Sequence, residues 1–257
     1  MKLVYGPVPS WRLKSSLGID LLGDRYCSFN CIYCQLGEVK FPTSERKKFV
    51  SLKGLQKELI EAANKAERID TITFSGMGEP TLAENLGEAI SLVKELKLAP
   101  IAILTNSSLL GNKIVQKELA NLDIVCAKLD APDEKIFQKI NSPHPQFNFA
   151  EILKGIKAFR QKFTGKFALQ MMFLKENRQF IEEMAELSQE IAPDEVQVNT
   201  PMRVKRVSPL SEEEIARISA YFRARGLKVV SVYEEKEPEV KILDPEQTKK
   251  RRPQFYR

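Results

Sequence analysis

Two kinds of hydrophobic pattern alternate along this chain. Short runs rich in β-branched and apolar residues predict buried strands at residues 17–22, 70–74, 99–104, 123–130, 166–174 and 195–201. Between these runs, apolar residues recur every three to four positions, as on one face of a helix. They predict helices from Ser51, over residues 82–96, from Asn112, over residues 132–141, 149–163 and 180–191, and from Ser211. Residues 227–233 are a candidate for a further edge strand.

The order of these elements indicates the fold class. Alternation of strand and helix about six times argues for an α/β protein with a parallel sheet and helical crossovers. Polar residues follow the strands, as at residues 75–80, 105–108 and 202–206. Active sites of β/α barrels are built from such strand–helix loops. A doubly wound sheet fits the same pattern, so the pattern alone leaves both architectures open.

Three of the four cysteines lie close together, as Cys27, Cys31 and Cys34. Three thiolates with this C-x3-C-x2-C spacing can bind one compact inorganic centre. A closed zinc site needs a fourth ligand, and the candidates are Cys126 and the single histidine, His144. A cubane iron–sulfur cluster held by three cysteines keeps one iron without a protein ligand, where a small molecule can chelate. The spacing therefore favours a catalytic cluster over structural zinc.

A glycine-containing turn follows the second predicted strand. Gly76 and Gly78 have no Cβ, so the backbone there can approach a ligand closely. Glu79 supplies a negative group that can pair with an amine. Taken alone, this motif also fits an ordinary strand-to-helix turn.

Two charged residues end the fourth predicted strand. Lys128 and Asp130 alternate onto one face of it, together with Cys126. Unpaired charge on the inward face of a barrel is costly. We expect the two either to pair with each other or to contact a ligand. Cys126 is expected to be a small core residue.

Positive charge is concentrated near the C-terminal end. The net charge is +6, from 40 Lys and Arg against 34 Asp and Glu. Five cationic residues lie in the last nine positions without an intervening acid: Lys249, Lys250, Arg251, Arg252 and Arg257. We therefore divide the chain into a barrel domain, residues 1–233, and a charged tail, residues 234–257. Such a tail either binds nucleic acid through phosphates or is a solvated end, and both interpretations stay open.

The same sequence argues against several other classes of protein. Four cysteines are too few for a disulfide-stapled secreted scaffold of this length. We find no apolar N-terminal signal segment and no 18-residue apolar run able to span a membrane. The expected location is therefore the cytoplasm, where thiols stay reduced.

The cysteine motif and its flanks resemble a known family. C-x3-C-x-aromatic-C, with Tyr33 as the aromatic residue, is the signature of radical S-adenosylmethionine (SAM) enzymes. Residues 5–10, 16–22 and 34–37 resemble the subgroup related to the enzyme that makes the tricyclic wybutosine precursor on tRNA. The resemblance extends over about residues 5–206. It implies a partial six-stranded (β/α) barrel of parallel strands, open at the side, with a short C-terminal extension.

The resemblance also implies cofactors and their ligands. Cys27, Cys31 and Cys34 would hold a [4Fe-4S] cluster whose open iron chelates SAM, and one electron would cleave SAM to a 5′-deoxyadenosyl radical. Gly76, Gly78 and Glu79 would bind the methionine end, and Tyr33 would lie near the cluster and adenine. Candidates for contacts to the ribose and carboxylate are Asn106, Lys128, Asp130, Gln170 and Asn199. The electron would come from a reducing partner of the flavodoxin or ferredoxin type.

Three functions remain candidates. The first is modification of tRNA, suggested by the subgroup, by the cationic turn at residues 202–206 and by the basic tail. One departure weighs against wybutosine chemistry itself. The related enzymes carry a second cluster on N-terminal cysteines, whereas no cysteine precedes Cys27 here. The second is a radical SAM enzyme for a small metabolite or a protein side chain. The third is a non-catalytic iron–sulfur or nucleic-acid-binding protein, which would hold a cluster without cleaving SAM.

Overall fold

A curled, mostly parallel sheet of eight strands forms the centre of the protein. The computed structural model of the protein describes residues 2–204 and 206–253. In spatial order the strands are β1 (Val4–Ser10), β2 (Lys14–Ile19), β5 (Thr71–Phe74), β6 (Ile101–Thr105), β7 (Ile124–Lys128), β8 (Lys166–Met172), β9 (Glu195–Asn199) and β10 (Val229–Ser231). Only the β1–β2 pair is antiparallel among them. Two short strands, β3 (Tyr26–Cys27) and β4 (Phe41–Pro42), form a separate parallel pair.

Eight helices accompany the strands in the described part of the chain. They are α1 (Leu55–Lys65), α2 (Leu86–Leu96), α3 (Lys113–Leu119), α4 (Glu134–Asn141), α5 (Phe149–Arg160), α6 (Ile181–Ile191), α7 (Glu212–Ala224) and α8 (Pro245–Arg251). Several begin where the sequence provides a cap. Asn112 accepts the backbone N–H groups of Ile114 and Val115, and Ser211 forms a capping box with Glu214. The α1 helix begins at Leu55 rather than near Ser51, because Gly54 adopts a left-handed φ of 90° just before it.

Alternation along the parallel strands separates an apolar face from a polar one. The apolar face carries fully buried side chains of the core: Leu17, Ile72, Ile103, Val125, Leu169 and Val198. The opposite face carries Ser16, Gly18, Thr73, Lys128, Gln170 and Asn199, which line the interior cavity or lie beside it. The half-barrel predicted from the resemblance is thus confirmed, and the doubly wound alternative is wrong. The polar interior is available for ligands instead of being filled with apolar side chains.

The antiparallel strand β1 was not predicted as a strand. Its segment contains Gly6, Pro7 and Pro9, which indicate a loop by sequence alone. In the structure it pairs with β2, and the Tyr5 ring lies over Gly18. A Cβ at Gly18 would come within 2.2 Å of that ring, so glycine is required there.

The C-terminal segment differs most from expectation. Residues 245–251 form α8, which lies against β1, and Arg251 and Arg252 are only 3% and 9% exposed. The Arg251 guanidinium is paired with Asp20 at 2.9 Å. These two arginines are therefore unavailable as a surface anchor for RNA. Lys249 and Lys250 are exposed, and Arg257 lies outside the described residues.

No helix within residues 2–204 and 206–253 has the length and apolar character needed to cross a membrane.

Candidate active site

The cysteine loop follows the short strand β3 and faces a cavity of about 190 Å³ lined by Cys27, Cys31 and Cys34. The loop is held from one side by the end of α4 and the residues after it. Ile32 donates its backbone N–H to the carbonyl of Ile140 at 2.9 Å, and Ser28 accepts the N–H of His144 at 2.8 Å. The His144 loop therefore supports the cysteine loop through its backbone.

The chemistry around the thiols fits an iron–sulfur cluster. Burial raises the pKa of Cys31 to about 11, and burial together with the Glu79 carboxylate raises the pKa of Cys27 well above its usual value. Side-chain amides offset part of this cost, because Asn141 Nδ2 lies 3.4 Å from Cys31 Sγ and Asn106 Nδ2 lies 3.7 Å from Cys27 Sγ. N–H groups directed at sulfur are a usual means of tuning an iron–sulfur cluster.

Neither of the two candidates for a fourth zinc ligand completes a metal site among the described residues. Cys126 is buried on β7, where its sulfur lies 3.9 Å from Gln197 Nε2. His144 accepts the N–H of Gln146 at 3.4 Å. Among residues 2–204 and 206–253, no three His, Cys, Asp or Glu side chains are gathered so as to hold one metal ion.

The glycine turn packs directly onto the start of the cysteine loop. A Cβ on Gly78 would lie 1.7 Å from the carbonyl oxygen of Tyr26, and Glu79 donates its N–H to the same oxygen at 3.1 Å. Gly76 has a φ of 146° and lies against Asp20, whose Cγ would be 2.6 Å from a Cβ there. The turn and the cysteine loop are therefore positioned as one unit.

The Glu79 carboxylate is engaged within the protein. Its Oε1 accepts hydrogen bonds from Thr81 N–H and from the hydroxyls of Thr81 and Thr105, at 3.1, 2.6 and 2.7 Å. Its Oε2 accepts the N–H of Asn106 at 2.6 Å, and burial raises the pKa of this carboxyl. The geometry assigns Glu79 to holding the turn in place. Gly76 and Gly78, in contrast, line the cavities beside the cysteine loop.

Asn106, a predicted ribose contact, points at the cysteine loop. Its Nδ2 donates to Ser28 Oγ at 2.8 Å, and its Oδ1 accepts the N–H of Ser108 at 3.0 Å. Ser28 and Ser108 also share a hydrogen bond of 2.8 Å between their hydroxyls. Asn106 therefore links the end of β6 to the loop that carries Cys27.

Asp130 is the centre of a buried polar network. It accepts hydrogen bonds from the Tyr33 hydroxyl, from Asn141 Nδ2 at 2.8 Å and from Met172 N–H at 2.8 Å. Burial and the Asp130 charge raise the pKa of Tyr33 well above its usual value. Lys128 pairs with Asp130 at 3.6 Å and lies 4.5 Å from the centre of the Tyr33 ring. The expected Lys128–Asp130 pair is thus present, and Asp130 is occupied in positioning Tyr33.

Asn141 was missed by sequence reasoning. It lies at the end of α4 and donates to both Asp130 and Cys31, yet the sequence there reads as an ordinary helix end. Its Oδ1 is buried and has no partner among the described residues. The signal available was the proline-containing run at residues 141–145, which predicts a rigid loop and no ligand contact.

A larger cavity of about 530 Å³ adjoins the cysteine pocket. Both are lined by Tyr33, Cys34, Gly76, Gly78 and Lys128, so they meet at the predicted cofactor site. Gln170 and Asn199 lie on the wall of the larger cavity, away from the cysteine pocket. Every predicted cofactor residue except Glu79 and Asp130 lines one or both of these two cavities. Glu79 and Asp130 are buried behind the lining residues.

A curled parallel sheet with a three-cysteine loop and a glycine turn at the carboxyl ends of its strands defines a cofactor-binding half-barrel. The profile of the Radical SAM superfamily matches residues 24–188. A UPF0026 protein of Synechocystis is 44% identical over 214 residues, which cover 82% of this chain and 78% of that protein. A UPF0026 protein of Methanocaldococcus jannaschii is 38% identical over 230 residues, covering 86% and 71%. The chain therefore belongs to the radical SAM superfamily, among the UPF0026 proteins.

Solved structures share the fold. SuiB of Streptococcus suis bound to S-adenosylmethionine superposes with a TM-score of 0.63 at 18% identity, over 83% of this chain and 50% of that one. The chain thus spans about half the length of SuiB. A radical SAM methyltransferase from Sphaerobacter thermophilus gives a TM-score of 0.65 at 16% identity, over 85% of this chain and 66% of that one.

Membership of the superfamily answers two of the questions left open by the sequence. The protein is an enzyme, and its cofactors are a [4Fe-4S] cluster and SAM. The non-catalytic alternative is therefore set aside. Neither of the two relatives described above is named as a wybutosine enzyme, so the relation to that subgroup stays a prediction.

Proposed function

We propose that the enzyme removes a hydrogen atom from a small substrate bound in the 530 Å³ cavity. The observation that carries this proposal is the continuity of that cavity with the cysteine pocket through Tyr33, Cys34 and Lys128. The volume lies within the range of roughly 300–1,000 Å³ typical of small-molecule sites. When held by Cys27, Cys31 and Cys34, a reduced [4Fe-4S] cluster would supply the electron that cleaves SAM to methionine and a 5′-deoxyadenosyl radical.

The residues of the chain bind and orient the reactants. We assign the backbone groups of Gly76 and Gly78 to the methionine end of SAM, because both glycines line the two cavities where these meet. Lys128, half-buried at the junction of the two cavities, is directed to a carboxylate or to the ribose. Gln170 and Asn199 offer hydrogen bonds further along the cavity wall.

The C-terminal segment restricts access of water to this site. Arg251 and Arg252 line the cavity, and the carbonyl of Arg251 accepts Gln35 Nε2 at 3.3 Å, next to Cys34. A reactive radical requires a site that excludes competing reactants. The segment that was predicted to be a tail therefore forms part of the active-site wall.

The test is an anaerobic assay of SAM cleavage. The protein is reconstituted with iron and sulfide, dithionite and SAM are added, and 5′-deoxyadenosine is measured by mass spectrometry. We expect product that depends on all three cysteines of the loop, with Cys126→Ala as the control that keeps activity. A fully loaded protein that forms no 5′-deoxyadenosine, alone or with candidate substrates, contradicts the proposal.

Modification of tRNA is the second candidate. Exposed cations lie around the cysteine loop, since Arg206 reaches the carbonyl of Cys31 at 3.5 Å and Lys249 and Lys250 lie on α8. Such a rim suits a polyanion, although the burial of Arg251 and Arg252 removes half of the cations expected there at residues 249–252. Addition of tRNA to the same assay tests this substrate: stimulation that falls steeply with salt supports it.

The same exposed edge suits the reducing partner. We propose a flavodoxin- or ferredoxin-type donor that docks beside the cysteine loop. Replacing dithionite by a reduced flavodoxin and measuring its salt dependence tests this assignment.

A further inference from the structure

The interior cavity has a cationic region that the proposed chemistry does not use. Arg12, Arg203 and Arg252 line it, in addition to Lys128 and Arg251. Arg12 lies in the turn between β1 and β2, at the amino-terminal edge of β2. The cysteine loop follows the carboxyl end of the same strand. Arg12 therefore enters the cavity from the edge of the sheet opposite to the cluster.

Arg12 is incompletely hydrogen-bonded within the protein. Its Nε is buried and has no hydrogen-bond partner within the described ranges 2–204 and 206–253. The guanidinium lies 5.3 Å from the centre of the Trp11 ring, and Trp11 is itself buried and lines the cavity. Burial lowers the pKa of Arg12, and the positive charge of Arg203 lowers it further.

The neighbouring arginines form a group with Arg12. Arg203 is paired with Glu237 at 2.6 Å, and Arg252 donates to the carbonyl of Pro9 at 2.9 Å. Burial lowers the pKa of Arg252 to about 10, and both Arg203 and Arg12 contribute by repulsion. All three arginines line the same cavity.

Most of the charged side chains that line the cavity are cationic. Among the described residues, five cationic side chains line it, whereas Glu237 is the one carboxylate in its wall. Asp20 and Asp130 lie behind the wall and pair with Arg251 and Lys128. A buried guanidinium N–H group without an acceptor is costly unless a ligand satisfies it, and Arg12 Nε is such a group among the described residues. The guanidinium fork suits the planar oxygen pair of a carboxylate or phosphate.

We propose that Arg12, together with Arg203 and Arg252, binds a phosphate or carboxylate group of the substrate. The proposal rests on the proposed function, because it places the rest of the substrate toward Tyr33 and Lys128. The wall in between carries neutral polar groups, with Ser16, Thr73 and Gln170 among them. The substrate class is therefore a small polar molecule with an anionic end.

The test measures anion binding without radical chemistry. The cluster-loaded, oxidised protein is saturated with SAM and titrated anaerobically with inorganic phosphate, pyrophosphate and succinate by calorimetry. We expect binding of at least one of these probes, and Arg12→Gln should weaken it about ten- to a hundredfold, the range for a lost charged hydrogen bond. Arg217→Gln, at an exposed position on α7, removes the same charge and should leave affinity unchanged. Preference for phosphate or succinate identifies which of the two anionic groups the site takes.

Three results would overturn the proposal. One is that none of the probes binds; another is that Arg12→Gln and Arg217→Gln weaken binding equally, which indicates a general charge effect. The third is that SAM and phosphate compete, which would assign the arginines to the SAM carboxylate. If Arg12→Gln does not fold, Arg12→Lys is used, which keeps the charge, lacks the fork and should still weaken binding. Because 5′-deoxyadenosine is not measured here, failure of the anion site is separate from failure of the proposed function.

Discussion

Replacement of Arg251 by methionine tests the docking of α8 on the half-barrel. The pair of Arg251 and Asp20 is almost fully buried, with 2% and 1% of the side chains exposed. The guanidinium also donates to the carbonyl of Lys2 at 3.0 Å and to Gln247 Oε1 at 2.8 Å. Methionine keeps an unbranched apolar side chain but leaves the Asp20 carboxylate without its counter-ion.

The structure gives the size of this effect. Removing one partner of a buried ion pair costs about 3–5 kcal/mol, because the remaining charge is uncompensated. Asp20 would keep only the N–H groups of Leu22 and Gly23, at 3.0 and 3.3 Å. The matched control is Arg178→Met, whose arginine is 48% exposed and pairs with Glu214. An exposed pair of this kind contributes roughly 0–1 kcal/mol.

Urea unfolding followed by tryptophan fluorescence measures both variants. The chain has one tryptophan, Trp11, which is 5% exposed and lies beside the strand that α8 covers. Adding Asp20→Asn to Arg251→Met removes the stranded charge while Oδ1 still accepts the two N–H groups. The loss of unfolding free energy in the double variant should then be smaller than the sum of the two single losses by about 0.5–3 kcal/mol. An Arg251→Met protein as stable as Arg178→Met would refute the docked position of α8.

Further predictions concern the cofactor site. Alanine at all three cysteines of the loop should abolish iron binding after reconstitution, whereas Cys126→Ala should retain it; iron and sulfide assays compare them. Gly78→Ala forces a Cβ to 1.7 Å from a backbone oxygen, so SAM binding measured by calorimetry should be lost, while Gly111→Ala, whose Cβ has no contact nearer than 3.7 Å, should bind normally. In Glu79→Gln an NH2 group replaces one carboxylate oxygen. The NH2 group cannot accept the backbone N–H of Asn106, so the variant should be less stable by about 1–3 kcal/mol. Because burial raises the pKa of Glu79, the wild-type unfolding free energy should fall as the pH rises through that pKa, and the glutamine variant should lose this dependence.

The parallel strands could be predicted because the residue types and the alternation in these segments both favour a β-strand. Residues 71–74 are Thr-Ile-Thr-Phe, a β-branched alternation whose apolar members all face the core. The predicted ends of the strands were less accurate than their existence. The strand predicted at residues 17–22 is observed as Lys14–Ile19, because Asp20 accepts the N–H groups of Leu22 and Gly23 and turns the chain.

The features that were missed depend on contacts between distant residues. Arg251 and Asp20 are separated by 231 positions, and no local pattern distinguishes a buried arginine from a solvated one. The same applies to Asn141, whose partner Cys31 lies 110 positions away. The family resemblance predicted Asp130 as a contact to SAM, but only the structure shows that its oxygens are already engaged within the protein. The sequence thus predicted residues that line the two cavities, but it did not predict which of them are hydrogen-bonded within the protein.

The position of α8 has a consequence for synthesis of the protein. The cysteine loop leaves the ribosome before Arg251, which completes the cavity wall and follows Gln35 by 216 positions. At roughly 5–20 residues per second, the half-barrel exists without this wall for on the order of ten seconds or more. Cluster delivery during that interval meets an open site, whereas delivery to the finished protein must pass the docked helix.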